Sequence, residues 1–335
     1  MAAPDIDGSA ARRVANRAKA AQRSHERVRA RAIVVGARVM ITRRCHDRRL
    51  FLTPCGAPEK GHSFEDTKNF YGYTIARAVL KYGVGFHAAT QMGNHHHLNI
   101  TDHRGNRPNF KNSVHGNLAR GFNARFGRFD SFWSGGGSCD TVTPTDDETL
   151  EDLAYTDCNP VAAGLLKWGR LWPGFTTYGW RFGESRTFVR PGKYFDPSNP
   201  DNPPAVTLTR ARPDIFRDLT DDELSDKLFE RCLEIERNIQ DTMAKENRRF
   251  MGLSKLSKSK WWTRAKSPER RFENVPTVAS SQSKLRVQEL ERNADWRRVY
   301  ALERDKLRTG ALTLLPHGAY MLPTLYNVAV ADRPP

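Results

Sequence analysis

Three consecutive histidines, His95, His96 and His97, lie between Asn94 and Leu98. Side chains alternate along an extended segment, so His95 and His97 share one face while His96 takes the other. Two imidazoles a few ångströms apart on one face form a pair of ligands for a divalent cation. Two nitrogens leave such an ion short of at least one protein ligand, and leave positions open for a phosphate oxygen. A zinc hydrolase of the H-x-H-x-D-H type is excluded by spacing, because Asp102 and His103 lie too far along the chain.

A second group sits in YTDCNPVAAGLL, residues 155–166. Tyr155 and Asn159 are four apart, so a continuous helix puts the phenol and the amide oxygen on one face. One helix would then supply both a nucleophile and a metal ligand. A phenol ionises near pH ~10, so a tyrosine nucleophile needs a nearby base or a polarised target. Each feature alone has a plainer reading. The histidines fit a surface cluster, an accidental tract or satisfied core residues. Asn159, directly before Pro160, fits the N-cap of a short following helix, and Tyr155 fits core filler.

The rest of the chain limits what these residues could act on. With 54 Lys and Arg against 38 Asp and Glu among 335 residues, the net charge is +16, an imbalance that favours a polyanionic partner, nucleic acid first. The bases cluster: residues 248–271 carry nine Lys or Arg and one acid, with Trp261 and Trp262 in the middle. That mixture suits phosphates together with stacked bases. Arg43, Arg44, Arg248, Arg249, Lys255, Lys258, Lys260, Trp261 and Trp262 are therefore candidate DNA contacts. The five cysteines form no C-x-x-C pair, which indicates neither a zinc ribbon nor a disulfide framework and fits a reducing cytoplasm. No apolar run nears the roughly 18 residues of a membrane span, and there is no signal-peptide core. The expectation is a soluble cytoplasmic protein with no membrane partner. Residues 1–31 read as a basic flexible arm, with a transit peptide as the alternative.

The candidate residues need elements to hold them. IVVGARVMITRR, 33–44, reads as a strand. Ser63 and Asp66 have capping-box spacing ahead of a helix that Gly83 ends. VGFHAATQM and HHHLNIT read as two strands joined by a turn at Gly93 and Asn94. Pro108 opens a helix with Phe110, Val114, Leu118, Phe122 and Phe126 on one face, although Gly116 and Gly121 weaken it. After the loop FWSGGGSCD, Thr145 and Glu148 start the helix that carries Tyr155. The class this predicts is α+β: a ferredoxin-like antiparallel sheet with helices on one face, over residues 32–181. Residues 182–219, with six prolines, read as a linker. Residues 220–335 read as a basic, mainly helical accessory region that opens with a helix over 220–249.

MGNHHHLNI followed by YTDCNPVAAGL resembles the motif pair of the REP-associated tyrosine transposases, single-tyrosine members of the HUH superfamily. The likeness extends to VMITRRC, KYGVGFHAATQM and FWSGG and covers about residues 32–178. It implies an HUH endonuclease core in which His95, His97 and Asn159 bind Mg²⁺ or Mn²⁺. It also implies that Tyr155 attacks a DNA phosphodiester to leave a 5′-phosphotyrosine and a free 3′-OH, and that the substrate is single-stranded or hairpin DNA. His96 stands where the family usually has a bulky apolar or aromatic residue, Gly93 where Ser or Pro is common, and TDC before Asn159 is unusual. The expected function is a single-stranded DNA endonuclease and strand-transferase. The alternatives are a catalytically lapsed hairpin-binding protein and a hydrolase that uses water in place of Tyr155. Monomer and homodimer both remain open.

Overall fold

The computed structural model describes residues 30–55, 59, 61–135, 137–266 and 277–332. Val35–Ser281 forms one compact unit, and the described residues up to Val34 join those from Gln282 onward in another.

In the larger unit the chain runs β1 (Ala37–Arg44), α1 (Phe64–Tyr82), β2 (Gly85–Gln91), β3 (His95–Asp102), α2 (Arg107–Phe126), β4 (Cys139–Val142) and α3 (Asp146–Ala162). The four strands form one sheet in the order β2-β3-β1-β4, each pair antiparallel. The fold is of the α+β class. Local chemistry explains several boundaries. The Ser63 hydroxyl accepts from the Asp66 amide and the Asp66 carboxylate accepts from the Ser63 amide, both at 3.0 Å, which satisfies two otherwise unpaired donors at the start of α1. Gly83 ends that helix at φ 62°, a left-handed conformation that glycine adopts without steric cost. The turn between β2 and β3 is closed by the Met92 amide donating to the His95 carbonyl at 3.0 Å. Gly121 stands where a Cβ would lie 2.1 Å from the Phe70 ring, so this glycine allows α2 to approach α1.

Both faces of the sheet are covered. Val39, Ile41, Leu98 and Ile100 face a core shared with α1 and α2. On the opposite face lies α3, with Leu153 and Ala154 packed against Ala88, and with the Asn99 amide donating to the Thr156 hydroxyl at 2.6 Å. The expectation of helices on one face is thus corrected. β3 is buried along nearly its whole length, and each of its two sets of side chains is covered by helix. β4 begins inside the expected loop FWSGGGSCD, whose last two residues, Cys139 and Asp140, are the first two of the strand.

The segment 182–219 is not a linker. It contains the hairpin β5 (Ser185–Val189) and β6 (Ala205–Thr209), whose Phe188, Val206 and Leu208 belong to the main core. Gly72 of α1 makes the room, since a Cβ there would sit 2.3 Å from the Phe188 ring. The prolines lie outside the two strands, where missing amide donors cost no ladder bond. The next helix, α4 (Asp221–Lys245), does not belong to a separate accessory region. Its Leu224, Leu228 and Cys232 pack on Leu153, Ala154 and Cys158 of α3. It ends at Lys245, so Arg248 and Arg249 lie beyond its last turn, and a short helix, α5 (Leu253–Ser257), follows.

In the smaller unit, α6 (Ser283–Arg308) stacks Trp296 on Tyr300 at 5.0 Å, and the Trp296 indole donates to the His317 carbonyl at 2.7 Å. Near the C-terminus lies a short helix, α7 (Met321–Tyr326). The expected basic arm, apart from Ala30 and Arg31, lies outside the described residues. Among the described residues no helix is long and apolar enough to cross a membrane.

Candidate active site

Strand register decides what surrounds the histidines. In the β1–β3 ladder His95 pairs with Arg44, His96 with Arg43 and His97 with Thr42, and directly opposed residues point to the same face. His95, His97, Thr42 and Arg44 therefore share the face that α3 covers. The two imidazole rings meet edge to face, with centroids 4.9 Å apart.

The Nδ1 atoms of both rings are engaged. His95 Nδ1 lies 2.7 Å from the Asn94 side-chain oxygen, and His97 Nδ1 lies 3.0 Å from the Thr42 hydroxyl. Because the Asn94 oxygen only accepts, His95 carries its proton on Nδ1, which makes Nε2 the nitrogen with the acceptor lone pair. His97 Nε2 is buried without a hydrogen-bond partner, an atom that costs free energy unless something binds it. Burial is the main cause that lowers the pKa of both residues: His95 to about 4, opposed by the polar Asn159 side chain, and His97 well below 6.5, helped by its histidine neighbours. Both imidazoles are neutral at physiological pH, the form that binds metal.

Tyr155 and Asn159 reach this site from α3, which runs unbroken to Ala162 through Pro160. The N-cap reading of Asn159 is thereby overturned. Pro160 removes only the amide that would have bonded the Thr156 carbonyl, close to the helix end. Asn159 is 5 % exposed and near enough to His95 to raise its pKa, while the Tyr155 ring stands 5.4 Å from that of His97 and is 46 % exposed. Tyr155 is thus not core filler. Among the described residues no three His, Cys, Asp or Glu side chains could hold a metal ion. The side chains here that could together serve a divalent cation are the His95 and His97 imidazoles and the Asn159 amide.

His96 belongs to the other face and to the core. Its Nδ1 lies 2.7 Å from the Tyr71 hydroxyl, its Nε2 lies 3.1 Å from His115 Nε2, and its ring stacks on Trp133 at 5.4 Å. If the Tyr71 hydroxyl donates to Nδ1, His96 donates from Nε2 and every member of the chain is satisfied while neutral. Burial pushes His96 down to about 3.

The basic residues divide. Arg44 is exposed and near enough to disfavour protonation of His95. Arg43 points to the buried face, with its guanidinium 5.2 Å from the Trp133 ring, so it packs in the interior and does not line the site. The segment 248–266 passes along the same end of the sheet. Met251 and Gly252 donate to the Gly164 and Leu165 carbonyls just past α3, Leu256 packs with Met92, and the Leu50 amide donates to the Thr263 carbonyl. Arg248, Arg249, Lys255, Lys258, Lys260 and Trp262 are exposed along this path. Trp261 is not an open platform: it stacks on Phe126 at 4.6 Å and 11° and packs against Phe51.

Sequence reasoning missed Asp157 and Arg210, which form a buried ion pair at 3.0 Å behind the tyrosine. It also missed Thr42, Asn94 and Asn99 as hydrogen-bonding supports. Asn94 and Asn99 lie within or beside the histidine motif, and Thr42 is reached only through the strand register.

No family model matches the chain, and no curated protein matches it. A solved structure of a REP-associated tyrosine transposase bound to a REP hairpin is similar to it, with 16 % sequence identity over 43 % of this chain and 78 % of that one and a TM-score of 0.32. The likeness is distant.

Proposed function

We propose that this chain is a metal-dependent, single-stranded DNA endonuclease and strand-transferase, a transposase-type activity with Tyr155 as nucleophile. It would act on hairpin-associated DNA. One observation carries this reading above the others: a half-exposed tyrosine stands edge-on to a histidine whose Nε2 is buried and unpartnered, beside a second histidine whose protonation responds to Asn159 of the same helix. The two sequence motifs, in the order in which the tyrosine transposases carry them, support it.

In this scheme Tyr155 Oη attacks phosphorus, the bond to the 3′ oxygen breaks, and the products are a 5′-phosphotyrosine and a free 3′-OH. His95, His97 and Asn159 would hold Mg²⁺ or Mn²⁺, which supplies polarisation of a non-bridging phosphate oxygen when bound. Asn94 and Thr42 keep the two imidazoles oriented with Nε2 turned to the site. Arg44, on the same face, adds fixed positive charge where the phosphate would lie. The exposed bases of 248–260 and Trp262 would follow the backbone and stack on bases beyond the scissile bond. Because the covalent bond conserves the phosphodiester, the 3′-OH of another strand reverses the step without ATP, so cutting and joining are one chemistry.

The test is incubation of wild type and Tyr155→Phe with labelled single-stranded hairpin DNA from the gene's flanks, with Mg²⁺, Mn²⁺ or EDTA, followed by denaturing electrophoresis. A metal-dependent adduct that survives SDS and is lost in Tyr155→Phe is expected. Tight binding without an adduct would instead identify a hairpin-binding protein, and cleavage that survives Tyr155→Phe would identify a water-using hydrolase.

A further inference from the structure

We infer that the buried Arg210–Asp157 pair is a positioning device that fixes the rotation of α3, and with it the places of Tyr155 and Asn159 against His95 and His97. The inference rests on the proposed function for its catalytic consequence, but not for its structural content.

Arg210 follows β6 and is 1 % exposed. Its guanidinium makes four hydrogen bonds to three parts of the fold. Nε donates to the His87 carbonyl at 2.8 Å, and Nη1 donates to the carbonyls of Thr177 at 2.9 Å and Trp180 at 2.8 Å. Nη2 donates to Asp157 at 3.0 Å. The His87 carbonyl lies at the irregularity in the β2–β3 ladder between Phe86 and Ala88. The other Asp157 oxygen accepts from the Thr177 hydroxyl at 2.6 Å. A planar fork of donors with fixed angles ties the β2 edge, the 177–180 loop and α3 into one arrangement.

Asp157 lies two residues from both Tyr155 and Asn159, about 200° away around the helix. The clamp therefore holds the flank opposite the working side chains, and any rotation it permits moves both of them together. A side chain that ends about 5–6 Å from the helix axis travels ~1 Å for a rotation of about 10°. A misplacement of ~1 Å can cost ~10²-fold in rate. The packing of α4 on Leu153, Ala154 and Cys158 secures the helix to the fold, but apolar contacts carry little directional preference. A buried ion pair contributes little net stability relative to apolar residues of similar size, whereas its geometry is specific.

The experiment uses the full chain and the double variant Arg210→Met/Asp157→Leu, which removes both charges together, with Asp157→Asn as the milder single change. Folding is checked by thermal melting. The first readout is a crystal structure of a folded variant. The second is Mn²⁺ affinity of the protein without DNA, measured by electron paramagnetic resonance. The third is the single-turnover rate of adduct formation at saturating DNA. A displaced Tyr155 ring, now 5.4 Å from His97, is expected, with Mn²⁺ affinity down several-fold, adduct rate down roughly 10- to 100-fold and DNA affinity in EDTA unchanged. A variant that keeps Tyr155 and Asn159 in place and binds Mn²⁺ like wild type would overturn the inference whatever its chemistry. Absence of any adduct in wild type would overturn the proposed function alone, and the crystallographic readout would still decide the role of the pair.

Discussion

The ring of Tyr155 stands edge-on to that of His97, with their planes at 88° and centroids 5.4 Å apart. One lies on a strand and the other on a helix, 58 residues downstream. Their meeting joins a candidate nucleophile to a candidate metal ligand.

The supports of the imidazoles should matter nearly as much as the imidazoles. Thr42 contacts His97 Nδ1 and Asn94 contacts His95 Nδ1. Thr42→Val and Asn94→Ala should each weaken Mn²⁺ binding by about 10- to 100-fold, the range usual for partners of ligating histidines. Calorimetric titration of the DNA-free protein measures this. Unchanged affinity would mean that the two contacts are incidental.

His96 should set a pH dependence of stability that has no link to the reaction. Folding lowers its pKa to about 3 through burial, while an unfolded imidazole protonates near pH ~6.5. Between these values the unfolded chain binds the extra proton, so this residue makes stability fall as pH falls from ~6.5 toward 3. His96→Phe removes the contribution. The stability gap between wild type and variant in urea should therefore shrink by about 2 kcal/mol from pH 7 to pH 5. The variant should still form the adduct, since His96 lies on the face away from Tyr155. A gap independent of pH would contradict the neutral buried chain.

The adjacent tryptophans should separate by assay. Trp261, stacked on Phe126, should cost roughly 2–3 kcal/mol of stability on change to alanine, somewhat under the range for a fully buried aromatic. Trp262, 44 % exposed, should leave the melting temperature unchanged but weaken single-stranded DNA binding by about tenfold, the low end for a stacked base. Melting curves and fluorescence anisotropy in EDTA test both. Equal effects of the two changes in either assay would sink the assignment.

Local chemistry made much of the site readable in advance. The capping box at Ser63 and Asp66, the stop at Gly83 and the turn at Gly93–Asn94 each depend on residues within a few positions of one another, and each stands as read. The split of His95 and His97 from His96 follows from the period of a strand. What distant contacts decide was out of reach. Nothing near Asp157 announces that Arg210, 53 residues away, will pair with it, and six prolines hid a hairpin whose apolar residues complete the core. The two faces of β3 could be counted from sequence, but not which helix would cover each. Trp261 and Trp262 are indistinguishable by composition, and the packing of Trp261 on Phe126 and Phe51 separates them.

The most direct test of the central claim is to locate the covalent bond. Adduct formed with Mn²⁺ would be digested with nuclease and protease, and the modified peptide sequenced by tandem mass spectrometry. The prediction is a nucleotide joined through its 5′ phosphate to Tyr155 Oη. A nucleotide on any other side chain, or cleaved DNA with no peptide attached, would contradict it.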